Sequence, residues 1–324
     1  MTPLELEEKA GGFQAATIVL AANHVGIFRV LCVGAMACEE LARRLKLDRR
    51  AVTTVTDALV CLGALERRGG RLGVPRELVP TLDPSSPTTR AHALDHQWYV
   101  LQRWARLDSV LETGEPIPRM REDEERLRAF ILGMADMARR GAPALWDAVN
   151  LSGLAHLVDV GGGPGELALA ALERFPGLSA TVFDLPEVLP IAREYASKRA
   201  VGDRIRFVAG DALRNEIPAC DVALVSSLVH SYGPSGVTRI ARHVAAGVKR
   251  GGLVLIREFM WDDEAHSGPL TAALFAVNML SGTPEGRCWT AAELQETFGK
   301  AGFGEWKLIR LDPRTSLLVG ARQS

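Results

Sequence analysis

The stretch Leu157-Val158-Asp159-Val160-Gly161-Gly162-Gly163-Pro164-Gly165-Glu166 constrains this chain more than any other. The apolar run over His156–Val160 reads as a buried parallel strand, and the glycines follow at once. From Glu166 to Phe175 apolar residues recur at helical spacing. Strand, glycine turn and helix together form a cradle for a nucleotide-like cofactor. Glycines let the backbone touch the ligand, and a helix N-terminus favours an electron-rich group.

The competing reading is a dinucleotide fold. Its G-x-G-x-x-G fingerprint would need glycine at 166 or 168, and those positions are Glu166 and Ala168. The spacing here is G-x-G-x-G, with an acid, Asp159, inside the preceding strand. That acid would repel a pyrophosphate. It suits the cationic methionine end of S-adenosylmethionine.

The chain has 324 residues, 47% of them hydrophobic and 24% charged, with a net charge of −1. This is enough for two domains and a large core. The charge balance argues against an electrostatic nucleic-acid or membrane binder. The five cysteines (Cys32, Cys38, Cys61, Cys220, Cys288) show no C-x-x-C pairing and read as reduced thiols of a cytoplasmic protein. Glu5, Glu7 and Glu8 stand where a secretory leader would be basic. No run approaches the roughly 18 apolar residues needed to span a bilayer.

Residues 4–31 read as two helices with apolar stripes, and 36–45 as an amphipathic helix. A Lys46-Leu47-Asp48 turn and a helix over Arg50–Leu62 follow. Leu65 to Val74 reads as strand, Gly69-Gly70 turn and strand. Helix, turn, helix and hairpin is the winged-helix plan. A helix that reads DNA should carry several basic or amide side chains, yet Arg50–Leu62 holds no Lys, Asn or Gln. A dimerisation or packing module fits better than a DNA reader. After a Pro- and Ser-rich segment at 81–89, helical patterns run over 90–111, 124–140 and 142–149.

Beyond the cradle, strands recur at an α/β interval. Ala180–Phe183 ends in Asp184, Arg204–Ala209 in Gly210-Asp211, Val222–Val225 in Ser226-Ser227, and Leu253–Ile256 in Arg257-Glu258. Helices fit between them at 187–200 and 236–249. The pattern predicts an α/β fold with a doubly wound, mostly parallel sheet, closed by a hairpin at 305–311 and 316–321. Ligands of such sheets bind beyond the carboxyl ends of the strands, where these polar residues lie.

Asp184 falls roughly 20 residues past the glycines, where an acid accepts ribose hydroxyls. Asp211 could meet an adenine edge. His230 lies four residues past the fourth strand's end, and Glu258 ends the adjacent strand. A carboxylate beside an imidazole fixes its tautomer and raises its basicity, as proton removal from a hydroxyl requires. No metal-ligand set stands out. The charged loop at Asp262, Asp263, Glu264 and His266 has a plainer reading as solvated surface.

These residues together resemble the S-adenosylmethionine-dependent small-molecule O-methyltransferases of the plant-caffeate and bacterial-polyketide type, over nearly the whole chain. The opening motif is matched by Asp159 through Gly165, and a Phe-Asp-Leu-Pro signature by Phe183-Asp184-Leu185-Pro186. A Gly-Asp is matched by Gly210-Asp211, a Gly-Gly strand with a following acid by Gly251-Gly252 through Glu258, and the closing element by 290–303.

The resemblance implies a Rossmann-like class I methyltransferase domain over 146–324, a helical substrate-pocket segment over 91–145 and a winged-helix dimerisation domain over 1–90. It implies cofactor contacts from Asp159, Gly161, Gly163, Gly165, Asp184, Leu185, Asp211, Ala212 and Ser226. It also implies an acceptor pocket from Phe130, Met134, Asn278 and Met279, with His230 as base and Glu258 as its partner. The expected assembly is a cytoplasmic homodimer that takes a small-molecule acceptor, releases S-adenosylhomocysteine, and binds neither nucleic acid nor membrane.

There are departures. A Lys or Arg is replaced by Ser226, the family's second acid by Cys288, and the acid after the histidine by Ser231. Methylation of an acidic carbon, a non-methylating cofactor binder and a winged-helix ligand-binding regulator therefore stand as alternatives to transfer onto a hydroxyl.

Overall fold

The apolar stripes at the start of the chain fold as three helices rather than two in the computed structural model, which describes residues 1–117 and 124–323. They are α1 (Pro3–Gly11), α2 (Phe13–His24) and α3 (Ile27–Val33). The break between α2 and α3 falls at Gly26, whose φ is 85°, between the two expected stripes; the additional break is at Gly11-Gly12, which sets α1 apart from α2. β1 (Met36–Ala37) leads into α4 (Cys38–Leu45). Asp48 caps α5 (Arg49–Cys61) by accepting from the Ala51 N–H at 2.8 Å. β2 (Glu66–Arg68) and β3 (Arg71–Gly73) pair as an antiparallel hairpin through Gly69-Gly70, and β1 joins the far edge of β3. The helix, turn, helix and hairpin order is thus present. α6 (Val79–Leu82) and α7 (Ala91–Trp104) follow. Ile27, Phe28, Leu31, Leu41, Leu59 and Leu72 form the core of this first compact unit, Met1–Gln102.

The second unit, Arg103–Ser324, begins with α8 (Leu107–Thr113) and α9 (Glu124–Ala148). Two expectations change here. The single helix over 90–111 is broken at Ala105-Arg106, and the helices over 124–140 and 142–149 are one helix that runs through Pro143. A proline inside a helix removes one hydrogen bond and costs about 3 kcal/mol. Burial of Ala142, Leu145 and Trp146 in the core beneath the helix opposes that cost.

The expected strands are all present: β4 (His156–Val160), β5 (Ser179–Asp184), β6 (Ile205–Ala209), β7 (Cys220–Ser226), β8 (Val248–Glu258), β9 (Phe303–Arg310) and β10 (Ser316–Arg322). They alternate with α10 (Glu166–Arg174), α11 (Leu189–Ala196), α12 (Pro234–Gly247), α13 (Leu270–Gly282) and α14 (Ala291–Lys300). The sheet order is β6-β5-β4-β7-β8-β10-β9, parallel from β6 to β8, with the last hairpin antiparallel at the edge. Strand order reverses between β4 and β7, so the crevice at their carboxyl ends is where a ligand sits in such a sheet. One face buries Val158, Val160, Val225 and Ile256 against α12 and α14. The other buries Leu157, Val182, Leu224 and Leu255 against α9 and α10. Among the described residues no single helix is long and apolar enough to cross a membrane.

Candidate active site

The turn after β4 is built by the glycines. Gly161 and Gly163 have φ of 64° and 55°, backbone that L side chains rarely adopt. A Cβ on Gly161 would come within 2.8 Å of the Leu228 side chain, whereas one on Gly163 would meet nothing within 4 Å. The chain at Gly163 therefore borders open space. Its N–H is held by Asp184 Oδ2 at 2.7 Å, and Asp184 Oδ1 accepts from the Leu185 N–H at 2.7 Å. Each carboxylate oxygen keeps a lone pair for a further donor. Burial raises the Asp184 pKa, and the two backbone N–H groups oppose that rise.

Asp159 lies beneath the turn rather than in the open. It is buried, and its carboxyl carbon stands 2.6 Å from the place a Cβ on Gly162 would take. Burial, with the Asp184 charge behind it, pushes the Asp159 carboxyl up to about 7, and the Ala168 N–H at the start of α10 works against the rise. Asp211 is half-buried just past β6, where Oδ1 accepts from the Leu213 N–H at 2.8 Å. Ala212 offers its carbonyl to His243 Nδ1 at 2.8 Å. Gly210 precedes them because a Cβ there would collide with the Phe183 ring. Ser226 ends β7, and its hydroxyl lies 3.4 Å from Arg257 Nη1.

His230 sits on a short 3-10 turn, Val229–Ser231, beyond β7. Its Nδ1 is 2.7 Å from Glu258 Oε2, and both side chains are buried. Glu258 Oε1 accepts from the Leu228 N–H at 2.9 Å and the His230 N–H at 3.4 Å. The carboxylate can only accept there, so Nδ1 carries the proton and Nε2 presents its lone pair. The turn is pinned from the 283–290 loop: Arg287 N–H donates to the His230 carbonyl at 2.8 Å, and Trp289 Nε1 donates to the Val229 carbonyl at 3.2 Å. Cys288, at the place of the expected second acid, is buried, and its thiol donates to the Ala272 carbonyl at 3.3 Å. Burial and the nearby Glu258 charge push that thiol up to about 12, so it stays neutral.

Sequence reasoning missed the aromatic wall beside the histidine. Phe275 of α13 meets the His230 ring edge-on, with centroids 4.7 Å apart, and stacks on Phe259 at 4.0 Å. Phe259 directly follows Glu258, and Phe275 stands one helical turn before Asn278. Those spacings were the available signal. Asn278 itself gives its amide oxygen to Arg103 Nη2 at 2.8 Å and to Trp104 Nε1 at 3.4 Å. Met279 is buried, Met134 half-buried and Phe130 41% exposed. No metal-ligand cluster of three or more His, Cys, Asp or Glu occurs among the described residues.

A family model described as an O-methyltransferase domain matches residues 114–304. A 3-hydroxy-5-methyl-1-naphthoate 3-O-methyltransferase from Streptomyces sahachiroi is 31% identical over 95% of this chain and 91% of its own length. The acetylserotonin O-methyltransferase of Bos taurus is 30% identical, over 94% and 93%. The solved human N-acetylserotonin methyltransferase in complex with SAM superposes with a TM-score of 0.88 at 24% identity, covering 98% of this chain and 97% of that one. The chain belongs to the O-methyltransferase family, enzymes that use S-adenosylmethionine as methyl donor. The residues at the strand ends suit that cofactor: open space over Gly163, a carboxylate at Asp184 with free lone pairs, and a second one after β6 at Asp211.

Proposed function

We propose that the chain methylates a hydroxyl of a small aromatic specialised metabolite, with His230 as general base and Glu258 as its positioning residue. The 2.7 Å contact between Nδ1 and the buried carboxylate carries this reading, because it leaves Nε2 as the one imidazole atom able to take a proton. Bound S-adenosylmethionine supplies a methyl group already activated on sulfur. The protein's work is then binding, alignment and proton removal. Asp184 is placed to accept the ribose hydroxyls, with Leu185 beside it. Asp211 and Ala212 stand at the adenine end, and Gly161, Gly163, Gly165, Asp159 and Ser226 shape the methionine end.

Phe275 and Phe259 offer a flat apolar surface against the imidazole, which suits an aromatic acceptor. The relatives named above act on a hydroxynaphthoate and on acetylserotonin, each a ring system bearing a group to be methylated. Met134, Phe130, Asn278 and Met279 belong to the acceptor side in this reading. His230→Ala tests it. Affinity for S-adenosylhomocysteine should hold within about twofold while kcat falls by roughly 10²–10⁴-fold. Near-normal turnover would remove the histidine from the chemistry.

We further propose that the enzyme is a cytoplasmic homodimer through its N-terminal helices. α1 has no buried residue, and Leu4, Leu6 and Phe13 are exposed at 65%, 58% and 61%. Apolar side chains so arranged are the usual material of an obligate interface.

A further inference from the structure

Arg257 is 8% exposed, and among the described residues its Nε has no hydrogen-bond partner. Among the described residues the one hydrogen-bond contact of its side chain is the 3.4 Å approach of Nη1 to Ser226 Oγ. The charges of Asp312 and Glu258 act on it, but neither forms an ion pair with it, and Arg314 opposes them. Burial lowers its pKa, yet a guanidinium remains charged in protein interiors. A buried cation with an unfilled donor is costly unless a ligand completes it. Gly141 of α9 leaves the room: a Cβ there would stand 2.6 Å from Arg257 Nη2.

Register fixes which ligand can reach it. Asp159 pairs with Leu224, Leu224 with Leu255, and Ser226 with Arg257, so Asp159, Ser226 and Arg257 project from the same face of the sheet. Glu258 projects from the opposite face and reaches His230. The polar residues at the carboxyl ends run in spatial order Asp211 on β6, Asp184 on β5, the glycines on β4, Ser226 on β7 and Arg257 on β8. Along that line the side chains facing an adenosine and its sugar are acidic, and the line ends in one cation. The amino-acid end of S-adenosylmethionine carries the matching anion.

We propose that Arg257 binds the carboxylate of the cofactor's methionine moiety, with Ser226 as its neighbour. The inference rests on the cofactor lying along the strand ends as described above. Planar guanidinium and carboxylate groups match in geometry, and such charge-assisted hydrogen bonds are about twice as strong as neutral ones.

The test compares S-adenosylmethionine with its decarboxylated form, which keeps the adenosine, the sulfonium and the ammonium. Binding is measured by calorimetry to the wild type, Arg257→Met and Arg257→Lys. The wild type should prefer the carboxylated ligand by about 10–100-fold. Arg257→Met should lose that preference, weakening S-adenosylmethionine while leaving the decarboxylated ligand within about threefold, and Arg257→Lys should recover part of it. A wild type that binds both ligands equally would overturn the inference, whether or not Arg257→Met folds. Equal weakening of both ligands in Arg257→Met would do the same, since it would show a packing role. So would loss of 1-naphthoate binding with S-adenosylmethionine affinity intact, which would give the cation to an acidic acceptor. Failure of the wild type to bind S-adenosylmethionine at all would bring down the cofactor reading itself, a separate result.

Discussion

Replacing Glu258 with glutamine keeps the size of the side chain but forces a choice on the imidazole. The carboxylate now accepts from three donors: His230 Nδ1 at 2.7 Å, the Leu228 N–H at 2.9 Å and the His230 N–H at 3.4 Å. Glutamine has one acceptor oxygen. If that oxygen stays with the two backbone N–H groups, the amide NH2 faces Nδ1, which must then give up its proton. The proton moves to Nε2, and the base is lost. The opposite flip sets the NH2 against two backbone donors and leaves both unsatisfied, at about 1–3 kcal/mol each. The first arrangement wins, so the imidazole is held in the wrong tautomer. Glu258→Gln should therefore lower kcat by roughly 10²–10⁴-fold, close to the loss in His230→Ala rather than a mild fraction of it. S-adenosylhomocysteine formation with a phenolic acceptor, followed by mass spectrometry from pH 6 to 10, measures the effect. The deficit should narrow at high pH, where the phenol ionises without help. Retention of more than a tenth of wild-type kcat at pH 7, with a folded protein and unchanged cofactor affinity, would refute the tautomer argument.

Three further outcomes follow from the geometry. Asp184→Ala should weaken S-adenosylhomocysteine binding at least tenfold by calorimetry, since losing hydrogen bonds to a carboxylate costs about 2–3 kcal/mol; unchanged affinity would count against the ribose assignment. Asp159 has its folded pKa raised from 3.8 to about 7, so the stability of its protonated form is fully present below about pH 4 and is lost as pH rises through about 7. Asp159→Asn should accordingly stabilise the ligand-free protein at pH 8 by at most about 4 kcal/mol, read as a higher melting temperature, and the gap should close toward pH 4. Parallel melting curves for the two proteins across that range would contradict it. Light scattering at micromolar concentration should give the mass of a dimer, and Phe13→Glu with Leu6→Glu should shift it toward the monomer; a monomeric wild type would remove the assembly proposal.

Much of the catalytic unit was legible because its signals are local. Glycines that must hold positive φ, acids at strand ends and an alternation of strand and helix all leave marks within a few residues. The sheet, its closing hairpin and the strand-end positions of Asp184, Asp211 and Glu258 follow from such marks. The helix breaks were harder. The break at Gly12 sets apart α1, a helix with no buried face to mark it, and Pro143 fails to divide α9, because packing of Leu145 and Trp146 outweighs the lost hydrogen bond.

By itself the sequence determined which residue types stand at each strand end, and so the class of cofactor and the identity of the family. Tertiary structure decided how they pair. Only the register of β7 on β8 sends Arg257 to the Asp159 face and Glu258 to the other. Only the 3-10 turn brings His230 back onto that carboxylate, 28 residues away in the chain. The stacking of Phe259 on Phe275 likewise depends on where α13 docks against the end of β8. A residue's chemistry is a property of its side chain, but its pKa, tautomer and partner are set by neighbours distant in sequence. Those neighbours exist only once the sheet has closed.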